Sequence, residues 1–257
     1  MLFAVDIGNT NIHVGFFPDG NAVYTFALST EPHRTADEYA MLFQSMAELG
    51  GYGGEDFDGA IIGSVVPSAT AAVSAAIQRL YRLTPLTVGP GIKTGFPIRV
   101  DNPSELGADL AANTAAAIAA VGAPAFVLDF GTATTLSVVG EDRAYLGCCI
   151  LPGVGMSLAA LKGTELLPGV CGTGTVPLLG TNSADSIRSG VFRGQAAAVS
   201  GLLSQLSKEK DLPSHTPILV TGGYGKDLLP YLPEQAVYRE SLTLEGLAVI
   251  YRINRKK

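Results

Sequence analysis

Asp129-Phe130-Gly131-Thr132-Ala133-Thr134-Thr135 follows the apolar run Ala125 to Leu128, and Asp6-Ile7-Gly8-Asn9-Thr10 follows a second apolar run at the head of the chain. Both read as a buried strand, an acidic residue, a glycine and then a hydroxyl. An Asp ending a strand, followed by a Gly that lets the backbone turn sharply, sets a carboxylate beside backbone N–H groups and hydroxyls. That is a cradle for a phosphate with its Mg²⁺. A single Asp-x-Gly also marks an ordinary turn. Two of them, one opening each half of the chain, point to two related domains facing one nucleotide.

The elements around these stretches repeat as well. The first half reads as strands over 2–5, 12–17 and 23–28, a helix over 35–49 with Thr35 as N-cap, a strand over 58–65, a helix over 68–81 and a strand over 86–88. This βββαβαβ order is an α/β pattern. A Gly/Pro-rich loop over 89–97 leads to a helix over 104–120, which Gly122-Ala123-Pro124 ends. The expected domains are therefore 1–122 and 123–257. The second half opens again with three strands, 125–128, 135–139 and 144–150. A helix over 155–161, a glycine-rich loop over 163–180, a helix over 184–207, a strand over 218–221 and a final helix over 244–252 follow.

At 257 residues and 47% hydrophobic, the chain is long and apolar enough for a real core. A net charge of −6 gives no electrostatic footprint for nucleic acid. There is no apolar run of about 18 residues, and Asp6 interrupts the N-terminal one, so neither a membrane partner nor a signal peptide is expected and the location is cytoplasmic. Cys148 and Cys149 are adjacent and Cys171 is alone, which suggests reduced thiols rather than a disulfide framework or a zinc site. His13, His33 and His215 are scattered without metal-ligand spacing.

The two halves resemble the duplicated ribonuclease-H-like domains of the actin, Hsp70 and sugar-kinase superfamily. The fold class this implies is α/β, two actin-like ATPase domains with ATP in an inter-domain cleft. Such a fold needs a Gly-Gly turn that passes close to adenosine, and Gly222-Gly223 after the strand 218–221 supplies one, although a Gly-Gly is also a plain turn. No Walker A sequence is present. Phosphoryl transfer then needs metal-neutralised phosphates and a carboxylate placed to take a hydroxyl proton. Asp109, after Gly107 and Ala108 at a helix start, is the candidate base. It could equally serve only to stabilise that helix start, where a carboxylate is favoured.

Over nearly its whole length the chain resembles the type III pantothenate kinases. The matches are Asp6 to Thr10; Val88 to Gly95; Asp101-Asn102-Pro103 with Gly107-Ala108-Asp109; Asp129 to Thr135; Ile150 to Gly153; Leu166-Leu167-Pro168; Ser186-Ile187 with Ser189-Gly190; Thr221-Gly222-Gly223; and Leu242 to Leu247. The resemblance implies Asp109 as general base, and Asp6 and Asp129 organising phosphate and Mg²⁺. It implies Gly8, Asn9, Thr10, Gly131, Thr132, Gly222 and Gly223 around ATP, and Val100, Gly107, Ala108, Leu110 and Ser183 around pantothenate. It also implies a monovalent cation (K⁺ or NH₄⁺) and a homodimer. The departures lie at Leu110, where an Arg is usual, Val100 for Tyr, Ser137 for Asp, Cys148 for Gly, and Thr181 with Ser183 in place of Lys and Thr. The ATP side is intact and the acid-substrate side is altered. The leading expectation is a kinase making 4′-phosphopantothenate, the first step of coenzyme A synthesis. The alternatives are a kinase of another hydroxyl substrate and a regulatory nucleotide-binding paralogue.

Overall fold

A computed structural model describes residues 1–162 and 175–255. The chain forms two compact units, one of Met1–Pro97, Asp101–Ala119 and Ser241–Lys257, the other of Ile98–Val100 and Ala120–Glu240.

In the first unit, β1 (Leu2–Ile7), β2 (Asn11–Phe17), β3 (Tyr24–Ser29), β4 (Gly59–Ser64) and β5 (Leu86–Thr87) form one sheet in the order β3-β2-β1-β4-β5. β1 pairs antiparallel with β2 and parallel with β4. Side chains alternate across a strand. Phe3, Val5 and Ile7 therefore join a core with Tyr39 and Phe43 of α1 (Ala36–Leu49) and Val73 of α2 (Pro67–Tyr81). Leu2 and Ala4 face the other way. They join Ala111, Ala112, Leu244 and Leu247, which lie on α3 (Ala108–Val121) and, at the end of the chain, the helix over Leu242–Asn254. Thr35 caps α1 as its sequence proposed, in a capping box with Glu38 whose carboxylate accepts from the Thr35 N–H at 2.7 Å.

In the second unit, β6 (Ala125–Phe130), β7 (Ala133–Val139), β8 (Tyr145–Pro152), β9 (Ile218–Thr221) and β10 (Ala236–Tyr238) are ordered β10-β9-β6-β7-β8. Pairings run antiparallel for β6 with β7 and β7 with β8, and parallel for β6 with β9 and β9 with β10. This is the first sheet's topology again, with β6 in the place of β1. The helices of this unit are α4 (Val154–Lys162), α5 (Ser183–Arg188), α6 (Gly194–Glu209) and the single turn α7 (Gly225–Leu228); α8 is the chain-terminal helix Leu242–Asn254 already described.

Four expectations needed correction. The helix expected from residue 104 starts at Ala108, because Pro103–Glu105 closes its own short turn and the chain re-enters a helix only at Gly107, whose carbonyl takes the Ala111 N–H at 3.0 Å. The helix expected over 184–207 is interrupted by a π-helical turn at Ser189–Arg193. There Ser189 Oγ donates to Leu178 O and the Arg193 guanidinium donates twice to Val176 O, tying the preceding segment down. β10 and α7 had no expected counterpart, being three and four residues long. Finally, a single cut at 122/123 assigns α8 to the second half, whereas its Leu244 and Leu247 pack on the first sheet. Leu166-Leu167-Pro168, Cys171 and most of the expected glycine-rich loop lie outside the described residues.

Candidate functional site

β1 sets the geometry of the first corner. Its alternation sends Asp6 to the face of Leu2 and Ala4, the face that α3 and α8 cover. On β4, Gly63 lies in register beside Asp6, and a Cβ on Gly63 would sit 3.7 Å from the Ala108 Cβ. The sheet thus brings Asp6 and the start of α3, with Gly107, Ala108, Asp109 and Leu110, to one corner of this unit. α3 is held there by contact at backbone distance: a Cβ on Gly246 of α8 would fall 1.8 Å from the Ala112 carbonyl oxygen. Thr243 Oγ1 also donates to Oδ1 of the buried Asn113 at 2.8 Å.

Asp109 is the second residue of α3, and its Oδ1 accepts from the Leu110 N–H at 2.9 Å. Gly107 leaves room for this carboxylate, since a Cβ there would meet Asp109 Oδ1 at 2.5 Å. One carboxylate oxygen therefore serves the helix start, and the other is not engaged in that bond. The turn after Asp6 is fixed by a residue that the sequence did not flag. Thr30 donates through Oγ1 to Gly8 O at 2.7 Å and through its N–H to Thr10 O at 2.9 Å. In a trans peptide the N–H points opposite to the preceding C=O. The Asn9 and Asn11 N–H groups are therefore aimed away from Thr30, which is the arrangement an anion needs.

β6 repeats the design. Phe126, Leu128 and Phe130 enter the core with Phe192, Val199 and Leu203, so Asp129 projects from the opposite face. It lies in register with the buried Thr221 of β9. Two glycines make room for its carboxylate: a Cβ on Gly131 would approach Asp129 Oδ1 to 3.3 Å and one on Gly222 to 2.5 Å. Gly222 has φ +89, a conformation that side chains rarely adopt, and its Cβ would also overlap the Phe130 backbone. The adjacent Gly223 is exposed and open. Of the Gly-Gly pair, Gly222 thus carries the steric requirement, and what it accommodates is Asp129. At the end of β10, the Tyr238 phenol is pushed up by burial first and then by Glu240, Asp227 and Asp129. Asp129, Thr221 and Tyr238 stand at the carboxyl ends of parallel strands, the edge at which open α/β sheets bind ligands.

The remaining expected residues are placed elsewhere. Val100 belongs to the 98–100 segment that runs beside β8, where the Arg99 N–H donates to Tyr145 O at 2.9 Å. The Arg99 guanidinium is paired with Asp142. Ser137 and Cys148, two of the departures, face each other across β7 and β8, Ser137 being buried. The Cys149 thiol is pushed up by burial first and then by Cys148 and Glu209, which disfavours the reactive thiolate. Ser183 lines an open cavity of about 620 Å³ with Leu161, Asn182 and Ile187. Leu161 is near the far end of α4, about 10 Å along that helix from the Gly131 turn. Among the described residues there is no cluster of three metal-ligating side chains.

A type III pantothenate kinase family model matches residues 2–205. The type III pantothenate kinase of Halalkalibacterium halodurans is 37% identical over 255 residues, covering 99% of this chain and 100% of that one. Among solved structures, a conserved putative Baf family transcriptional activator from Campylobacter jejuni aligns with a TM-score of 0.61 at 20% identity, over 98% of both chains. The activator of 2-hydroxyisocaproyl-CoA dehydratase from Clostridium difficile, with bound ADPNP, aligns with a TM-score of 0.56 at 9% identity, over 100% of this chain and 98% of that one. The structural likenesses bear on fold alone and agree with two α/β domains. With the duplicated sheet, its two Asp-Gly corners and a full-length relative above a third identical, the chain belongs to the type III pantothenate kinase family, phosphotransferases that act on an alcohol.

Proposed function

We propose that the chain transfers the γ-phosphoryl group of ATP to the primary hydroxyl of pantothenate, giving 4′-phosphopantothenate. The observation that carries this reading is the repeated corner: Asp6 and Asp129 occupy the same penultimate position on topologically equivalent strands, in a chain of this family. Phosphoryl transfer asks little covalent chemistry of the protein and much positioning. The turn N–H groups with Thr10 and Thr132 hold phosphate oxygens, and the turn at Gly222-Gly223 takes the adenosine side. Asp109 accepts the proton of the attacking hydroxyl through its second carboxylate oxygen.

The donor set suits Mg²⁺, a hard cation commonly held by one or two carboxylates plus substrate phosphates rather than by an all-protein cage. Asp6 and Asp129 are two carboxylates of that kind. Asp6 and Asp129 would hold the ion, which supplies neutralisation of phosphate charge. A monovalent cation, K⁺ or NH₄⁺, belongs to the same proposal, as do a cytoplasmic location and a homodimer. Exposed Ile150, Leu178 and Leu179 in the second unit support association, which light scattering would test. No described helix is long and apolar enough to cross a membrane.

A second reading, a kinase for another hydroxyl substrate, is favoured by Leu110, an apolar half-buried residue one position from the proposed base. Coupled ADP release with Mg-ATP, K⁺ and a panel of pantothenate-like alcohols separates the two. If Leu110 replaces a carboxylate-binding cation, wild type uses pantothenate poorly and Leu110→Arg improves kcat/KM by about ten- to hundredfold, mainly through KM. Efficient turnover of pantothenate by wild type rejects the second reading.

A further inference from the structure

Gln195 is buried on α6, 9% exposed, two residues past the π-helical turn, and no part of the proposed chemistry uses it. Its side chain nonetheless ends beside the Gly131–Thr132 turn. Nε2 donates to Pro152 O at 2.5 Å. That carbonyl can only accept, so the amide orientation is fixed and Oε1 is left to accept from the Thr134 hydroxyl at 3.3 Å. Thr134 is fully buried on β7 just after the turn, and Pro152 is the last residue of β8, paired with Ala133. One amide therefore ties together the two strands at the point where β7 leaves the turn.

The next residue transmits the tie. Gly153 lies directly on the turn: a Cβ there would be 2.1 Å from Thr132 O and 2.7 Å from Gly131 O. α4 then departs at Val154, with the Ser157 N–H bonded to Gly153 O at 2.9 Å. The Thr132 carbonyl thus rests on a backbone whose preceding carbonyl is held by Gln195. A turn that must present N–H groups to phosphate oxygens tolerates displacements well under 1 Å.

We propose that Gln195 is a positioning residue of this kinase: by bridging Thr134 and Pro152 it holds Gly153 against the Gly131–Thr132 turn and fixes the attitude in which that turn takes phosphate. The proposal rests on the reading of this turn as a phosphate-binding corner. Its test is calorimetric binding of Mg-AMPPNP, together with thermal melting and steady-state KM for both substrates, on full-length variants. Gln195→Met keeps the volume and removes both bonds. It is expected to weaken nucleotide binding about tenfold while KM for the acceptor alcohol stays within twofold. Thr134→Val removes one bond and is expected to fall between, with Thr134→Val combined with Gln195→Met no weaker than Gln195→Met alone, as one shared network requires.

A lower melting temperature with wild-type nucleotide affinity in Gln195→Met would overturn the proposal and make Gln195 a satisfied core amide. Thr132→Ala, measured alongside, separates the two levels. If Thr132→Ala loses affinity and Gln195→Met does not, the positioning role alone falls. If neither loses affinity, the phosphate-binding reading of the turn falls and the proposal goes with it. Should Gln195→Met fail to fold, Thr134→Val carries the decision, and wild-type affinity there rejects the role.

Discussion

In the proposed reaction Asp109 takes a second role beside its helix-start bond, and substitutions can pull the two apart. Asn retains an oxygen for the Leu110 N–H but cannot accept a proton, so Asp109→Asn should melt near wild type while kcat falls by about 10²–10⁴. Asp109→Ala loses the helix-start bond too and should cost a further ~1 kcal/mol in urea unfolding. Equal kcat in Asp109→Asn and wild type would remove the residue from catalysis. Tyr81 offers a test at the same scale in the core. Its phenol oxygen is buried with no hydrogen-bond partner in the structure, and its ring packs 5.2 Å from Phe3 and 4.8 Å from Phe57. Tyr81→Phe should therefore stabilise the protein by up to about 1 kcal/mol. Burial first, and Glu48 second, push this phenol up to about 12. A pKa raised on folding means that the neutral form is favoured in the folded state. The associated stability is present below about pH 10 and is lost as pH rises through about 12. Tyr81→Phe should flatten that alkaline decline, which denaturant unfolding at pH 8 and pH 11 would show.

α3 and α8 meet at backbone distance where Gly246 lies against Ala112. Gly246→Ala would place a methyl 1.8 Å from Ala112 O, and because the obstacle is backbone, the helices must separate. A loss of about 3 kcal/mol is expected in urea unfolding, with a fall in kcat as the start of α3 moves. Unchanged stability would show that the helices can slide apart freely. Such joints mark what the sequence conceals. The Asp-Gly corners were legible because strand, carboxylate and turn are contiguous, and βββαβαβ was legible because each element carries its own period and stop signals. The supports of the corners were not legible, because they bridge distant positions: Thr30 reaches Gly8 from 22 residues away, and Gln195 reaches Pro152 and Thr134 from 43 and 61. The π-helical turn escaped notice for the same reason, since Ser189 and Arg193 bond to Leu178 and Val176 rather than to neighbours in the helix. β10 is too short to show a period at all.

For the molecule as a whole, the order of the chain and the order of the units differ. α8 is last in sequence, yet Leu244, Leu247 and Ile250 seal the face of the first sheet formed by Leu2, Ala4 and Ile61. A chain ending at Glu240 should lose the near-ultraviolet signal of the Phe3, Phe16 and Phe57 cluster, because a sheet with one face exposed does not hold its other core. A native-like spectrum in that truncation would show the first unit to be complete without its helix. Domains ordinarily finish in the order in which they are synthesised. Here β1 to β5 are synthesised well before the helix that covers one of their faces, while the second unit, Ile98–Val100 with Ala120–Glu240, is synthesised ahead of that helix. A nascent chain stalled short of α8 would expose Leu2, Ala4 and Ile61 to chaperones even with the later-made unit already closed.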